Sequence, residues 1–307
     1  MSKIYSYDVG NGDMFCIRHE RDYVTVIDCC IPAEGDDIIN NIKGLCRKND
    51  RTRLIITHPE KDHYKGIARL TKALNFEKFC FSCAPFDEKA ENEDQKIYTS
   101  LKNAANSIDC VCGDGSIFSE PANYASGIRF LWPRIDSCVY KAEMAKGEEN
   151  KSKNCFCPVI VYSLKGGVVA LWMGDLEEDF LKKIANEVEW PTVDIMFAPH
   201  HGRDRIPATI LKETAPKLIV NGIASGQQHP KYPSGNSLSQ SYAKNILFEG
   251  KDGKVHVYVS GTVNELAKDL LKKREEVKNL KINVGAVELS YVGSFVTHRG
   301  ESNEDAE

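Results

Sequence analysis

The chain has 307 residues, of which 40 are Lys or Arg and 44 are Asp or Glu, giving a formal charge of −4. Hydrophobic residues at 42% and charged residues at 27% are ordinary for a globular protein, and no apolar run approaches the ~20 residues that span a bilayer. A strongly basic nucleic-acid binder is excluded as a description of the whole chain, but a local basic groove is not.

Three short β-branched and aromatic runs open the sequence: Ile4 to Val9, Met14 to His19 and Tyr23 to Asp28. The polar start predicts no secretory signal and a cytoplasmic protein. Asp36 to Arg47 has helical spacing, with Ile38, Ile39, Ile42 and Leu45 on one face. Arg53 to Thr57 reads as a buried strand that ends in a polar loop, and Lys65 to Leu74 as a helix. Glu77 to Cys83 is a further strand. Asp87 to Ser107 offers few apolar anchors and reads as a surface helix or a mobile insertion.

The second half repeats the rhythm. Strands are expected at Ile128 to Pro133, Pro158 to Leu164 and Val168 to Gly174, the last two joined by a turn at Lys165-Gly166-Gly167. Residues 134 to 153 are polar and read as a loop. A helix over Leu176 to Glu187 precedes a strand over Val193 to Pro199, and a short helix over Ile206 to Thr214 precedes a strand over Lys217 to Gly222. Late strands are expected at Lys254 to Gly261 and Gly285 to Val292, around an amphipathic helix over Glu265 to Leu280. The segment 296–307 reads as an acidic, disordered tail.

Eleven cysteines, without a signal segment, read as reduced and buried thiols. Cys80 and Cys83 with Cys110 and Cys112 leave two readings open, a zinc site or strand thiols that simply pack.

Three apolar strands each run into metal-ligand side chains. The first is followed by Thr57-His58-Pro59-Glu60-Lys61-Asp62-His63, the second ends in Gly174-Asp175, and the third ends in Pro199-His200-His201-Gly202. Loops at the carboxyl ends of strands are where α/β proteins build sites. Asp175 alone would be an ordinary helix cap, and a lone His pair an ordinary surface loop. The three together point to a metal centre, with His58 and Glu60 able to face one ion and Asp62 and His63 its neighbour.

With Asp8-Val9-Gly10-Asn11-Gly12-Asp13 at the start and Gln227-Gln228-His229-Pro230 later, this order of motifs resembles the metallo-β-lactamase superfamily of metal hydrolases. Within it, the pattern is most similar to the ComEC-type hydrolase domain of DNA-uptake channels. The resemblance implies an α/β fold, an αββα four-layer sandwich, over residues 1–295, with a C-terminal elaboration from about 235.

The resemblance also implies two divalent ions. His58, Glu60, Asp62, His63, Asp175 and His200 would be ligands, with Asp175 bridging. His201 would stand beside His200 as a ligand or phosphate contact. Asp13, Asp28 and Asn154 would support the ligands, and His229 would face the substrate. Glu60 replaces a histidine, and Asn154 stands near the place of another. The oxygen-rich donor set shifts preference towards Mn²⁺ or Mg²⁺ relative to Zn²⁺.

The expected chemistry is hydrolysis of a phosphodiester in nucleic acid, as a nuclease, in DNA processing or defence against phage. Asp62 would orient the attacking water. His201, Lys61 or His229 would stabilise the developing charge or protonate the leaving oxygen. Lys61, Arg203 and Arg205 would grip phosphates, with Lys65, Lys141, Lys146, Lys151, Lys153 and Lys231 around them and Tyr64 and Tyr232 stacking on bases. The alternatives are a hydrolase of a lactone, thioester or cyclic nucleotide, or a degenerate hydrolase acting as a binding subunit. No membrane association is expected, and a homo-oligomer or protein partner stays open. The four acids from Glu301 onward account for the whole net charge, so the body of the chain is balanced.

Overall fold

The computed structural model describes residues 2–20, 22–48, 50–84, 86, 92–111, 127–146, 152–163, 168–222, 237–239, 245–261, 271, 280–284 and 286–299. The expected turn at Lys165 to Gly167, most of the helix expected over 265–280, and Cys112, Lys151, His229, Lys231, Tyr232 and 300–307 lie outside the described residues.

The first half contains β1 (Ser2–Ser6), β2 (Phe15–Arg18), β3 (Tyr23–Ile27), α1 (Asp36–Leu45), β4 (Arg51–Ile56), α2 (Lys61–Tyr64), α3 (Ile67–Ala73), β5 (Lys78–Phe81), α4 (Glu93–Lys102) and β6 (Ser107–Asp109). The middle holds β7 (Ile128–Trp132), α5 (Cys138–Met144), β8 (Val159–Ser163), β9 (Val169–Trp172), α6 (Glu178–Ile184), β10 (Ile195–Phe197), α7 (Ala208–Thr214) and β11 (Leu218–Asn221). Then come β12 (Ser237–Ser239), β13 (Ile246–Lys251), β14 (Lys254–Val259), β15 (Lys281–Val284) and β16 (Val287–Val296).

The molecule is mixed α/β with two sheets. A ten-stranded sheet has the order β15-β16-β14-β13-β1-β2-β3-β4-β5-β6, and a six-stranded sheet the order β12-β11-β10-β9-β8-β7. In each, an antiparallel part joins a parallel part, which begins at β3 in the first sheet and at β9 in the second. Parallel strands are buried on both faces, so β9 and the Leu54-Ile55-Ile56 end of β4 read as unbroken apolar runs. The late strands are continuous with the start of the chain, because β13 pairs antiparallel with β1.

The inner faces of the two sheets share one apolar cluster, including Ile17, Ile27 and Ile55 from the first and Ile160, Trp172 and Phe197 from the second. The Phe15 ring meets the Phe197 ring at 4.8 Å across it. A second cluster joins the ten-stranded sheet to α1, α3 and α4 through Ile42, Leu70 and Tyr98. A third joins the six-stranded sheet to α6 and α7 through Leu181, Ile184 and Ile210. Full burial of each such aliphatic side chain contributes about 1.5–3 kcal/mol.

The surface helix read as one alternative over Asp87 to Ser107 is present as α4, seated by the completely buried Tyr98. Two expectations need correction. Residues 138–144 of the expected loop form α5, which Ser137 caps by accepting from the Tyr140 N–H at 3.0 Å. The expected tail begins too early: Val296 ends β16, and Thr297 and His298 donate backbone N–H bonds to Gly253 O and Asp194 Oδ1, both at 2.8 Å. Among the described residues, no helix is long and apolar enough to cross a membrane.

Candidate metal centre

The loops after β3, β4, β9 and β10, with the turn between β1 and β2, converge at one edge of the two sheets. β3 delivers Asp28, and β4 runs through Thr57 and His58 into α2, which carries Asp62 and His63. β9 delivers Asp175. β10 runs through Pro199 into a 3₁₀ turn, His200 to Gly202. Asp28, His200 and His201 have φ of 56°, 50° and 55°, a left-handed conformation that costs a residue with a Cβ about 1–2 kcal/mol. Strain of this kind gathers at functional sites.

Asp13, His63, Asp175 and His201 each bring one ligand atom within 4.8 Å of the others, and this group could hold a metal ion. Asp175 is central. Its Oδ1 lies 3.3 Å from His63 Nε2, and its Oδ2 lies 3.5 Å from His201 Nε2, 3.7 Å from His200 Nε2 and 3.8 Å from His58 Nε2. Asp62 Oδ2 stands 3.5 Å from His201 Nε2, and Glu60 Oε2 stands 3.9 Å from His58 Nε2. The Asp175 carboxylate is thus shared by His58, His63, His200 and His201, with Asp62 beside His201 and Glu60 beside His58.

Nε2 of His58, His63 and His201 and Oδ1 of Asp175 are buried without a hydrogen-bond partner among the described residues. An unpaired buried polar group costs about 1–3 kcal/mol. A cation between them would satisfy all four, so the donor set fits a metal.

Carboxylates hold the imidazoles from behind. Asp28 Oδ2 lies 2.8 Å from His63 Nδ1, and Asp13 Oδ1 lies 3.1 Å from His201 Nδ1. A carboxylate only accepts, so each Nδ1–H donates and Nε2 is left to face the cluster. Asp28 also accepts from the Thr57 N–H at 2.7 Å and the Thr57 hydroxyl at 2.8 Å. Asp204 repeats the arrangement, with Oδ2 at 2.7 Å from His200 Nδ1.

Charges are correspondingly displaced in the metal-free protein. Burial opposes the His63 imidazolium, but Asp175 and Asp28 outweigh it and push the pKa well up. Burial likewise opposes charge on His201, but Asp13, Asp62 and Asp175 raise it to about 10. Burial alone would raise Asp62, yet His201 and His63 hold it at about 2. Asp175 is held far below the carboxylate range against its own burial, by His63, His201 and His58. His58 runs the other way: burial, then the neighbouring His63, drives it well below 6.5 and leaves it neutral.

The structure therefore brings together His58, Glu60, Asp62, His63, Asp175 and His201, with Asp28 supporting them. Both histidines of the pair present Nε2 to Asp175: His201 is buried and belongs to the four-residue group, and His200, 22% exposed and backed by Asp204, lies 3.7 Å from the Asp175 carboxylate. Asp13, expected only as a support, also reaches the group itself. Asn154 does not join: its amide donates to Glu177 Oε1 at 3.2 Å. Lys61, Arg203 and Arg205 are exposed, and their side chains form no ion pair or hydrogen bond among the described residues. Tyr64 cannot stack on a base, because it is 5% exposed and its ring lies against Tyr98. Lys146 is held by Glu143, and Lys141 donates to Asp136 O. Cys80 and Cys110 are buried in the core between the sheets.

Sequence reading missed Asp204, although its place four residues after His200 was a signal. Gly12 is also required. A Cβ there would stand 2.5 Å from Asp62 O and 2.6 Å from Cys30 Sγ, so only glycine lets the Asp13 turn approach the loop that carries Asp62. No protein-family model and no curated protein matches this chain.

Proposed function

We propose that this chain is a metal-dependent hydrolase of the metallo-β-lactamase superfamily, built as a helix–sheet–sheet–helix sandwich, that cleaves phosphodiesters in nucleic acid. The observation that carries the reading is the gathering of donors around Asp175, with four buried polar atoms that have no hydrogen-bond partner among the described residues. His58 and Glu60 would hold one divalent ion, Asp62, His63 and His201 the other, and Asp175 both. Such ions lower the pKa of a bound water and polarise a phosphoryl oxygen.

The remaining steps belong to the protein. Asp28 and Asp13 fix the imidazoles of His63 and His201. Asp62, 35% exposed, is a ligand open enough to orient the attacking water. His200, held by Asp204 at the rim, protonates the leaving oxygen. Lys61, Arg203 and Arg205 are free to meet phosphates. Three carboxylates stand beside three imidazoles in the donor set, and that share of hard oxygen ligands shifts preference towards Mn²⁺ or Mg²⁺ relative to Zn²⁺.

The competing reading is a small-molecule hydrolase, acting on a lactone or thioester. The two readings separate on a panel of single- and double-stranded DNA and RNA, assayed with Mn²⁺, Mg²⁺ and Zn²⁺ in turn. Cleavage is expected with Mn²⁺. Turnover of a lactone or thioester with no polynucleotide cut would favour the second.

A further inference from the structure

The loop that carries Asp62 and His63 is held on two sides. On one, backbone N–H groups of Asp13, Cys29 and Ile31 donate to the carbonyls of Asp62, His63 and Lys65, at 3.2, 2.8 and 2.7 Å. On the other, a single side chain takes the next two available donors. Asp94, on α4, accepts from Gly66 N at Oδ2 and from Ala68 N at Oδ1, each at 3.0 Å.

Gly66 has φ of 102°, and a Cβ there would stand 2.7 Å from Ile31 Cβ. The chain therefore reverses sharply three residues after His63, pressed against Ile31. The start of α3 supplies no cap of its own, since Gly66 has no side chain to offer. Asp94 fills that role from a distant helix.

α4 is well fixed for the task. Asn92 accepts from the Gln95 N–H at 3.0 Å, and Gln95 Oε1 accepts from the Asn92 N–H at 3.2 Å, a reciprocal cap that sets where the helix starts. One turn on, the Tyr98 ring lies 5.2 Å from Tyr64 and 4.9 Å from Phe81, which seats the helix against the loop and β5.

We infer that Asp94 is a positioning residue for the metal loop: its two-pronged grip on Gly66 and Ala68 fixes where α2 presents Asp62 and His63. This rests on the metal-binding reading above. Asp94 touches no ligand and acts through the backbone, so its loss loosens the donor set without removing a donor. Groups that orient ligands indirectly typically change metal affinity by about 10–100-fold, and a step further out puts the expectation at the lower end.

The test is Mn²⁺ affinity and stoichiometry by titration calorimetry on the full chain, with thermal unfolding in parallel, for the unsubstituted protein, Asp94→Ala, Asp94→Asn and Leu101→Ala. Leu101 lies on the same helix and packs in the adjacent core, so its variant lowers stability without touching the loop. Asp94→Ala is expected to bind about tenfold more weakly with unchanged stoichiometry. Asp94→Asn keeps one acceptor and should fall between, and Leu101→Ala should keep the original affinity. Unchanged affinity in the Asp94 variants, or an equal loss in Leu101→Ala, would overturn the inference alone. No Mn²⁺ binding by the unsubstituted protein would overturn the metal reading, and the inference with it.

Discussion

Each imidazole that faces Asp175 from the His63 or His200-His201 segments has a carboxylate behind it, and this pairing governs how single substitutions act. Asp28→Asn keeps the shape but offers His63 Nδ1 an amide in place of an obligate acceptor. Metal affinity should fall about 10–100-fold, with Asp13→Asn behaving alike through His201; calorimetric titration reads both. His200 follows a different rule. His200→Ala should leave the bound metal near its original content and slow turnover by about 10²–10⁴-fold, the usual worth of a positioned acid. pH acts on the same groups. His63 is raised and His201 reaches about 10, so at neutral pH an incoming cation displaces protons. Apparent affinity should therefore rise with pH, about tenfold per unit for each proton released, up to the raised values. Calorimetry in two buffers of different ionisation enthalpy counts those protons; zero release would contradict the assignment. The donor residues were legible in the sequence because chemistry gathered them at three strand ends. That His200 and His201 both present Nε2 to Asp175 was not, since two successive left-handed residues follow no side-chain period.

Among the elements, the regular strands were plain from their apolar runs, and the rest were legible only where a local pattern existed. α4 was left between two readings, because Tyr98 is its fully buried contact and a single anchor leaves no helical stripe to read. α5 is short, and its signal was the cap at Ser137 more than its apolar content. β13 was overlooked although it forms a hairpin with β14, since its Ile246-Leu247-Phe248 run is short and is followed by Glu249, Gly250 and Lys251. Tyr98 also yields a sharp expectation. Its hydroxyl is buried with no hydrogen-bond partner among the described residues, and removing an unsatisfied polar group is neutral or stabilising. Tyr98→Phe should unfold at the same temperature as the unsubstituted protein or higher. Tyr98→Ala should lose about 3–5 kcal/mol, as large buried rings do. Denaturant unfolding measures both, and a marked loss in Tyr98→Phe would show that the hydroxyl is paired.

At the scale of the whole molecule, the alternation of strands and helices announced a mixed α/β protein with two sheets, and sequence order put the site loops at the ends of parallel strands. Long-range pairing, such as the insertion of β13 and β14 beside β1, left no mark in local pattern. Net charge was a poor guide to substrate. The chain is acidic overall, yet Lys61, Arg203 and Arg205 stand exposed within two or four residues of proposed ligands. If they meet phosphates, binding to a catalytically silent complex should weaken as salt rises, and Arg203→Ala and Arg205→Ala should each reduce the slope of log affinity on log salt by about 1. A flat salt response would argue for an uncharged substrate.

The central claim is that Asp175 joins two donor sets into one hydrolytic metal centre. The most direct measurement compares DNA and RNA cleavage by the unsubstituted protein and by Asp175→Asn, with Mn²⁺ supplied and bound metal counted in each sample. Loss of cleavage together with loss of bound metal in Asp175→Asn is the predicted result. Cleavage that persists in Asp175→Asn at the original rate would contradict the account.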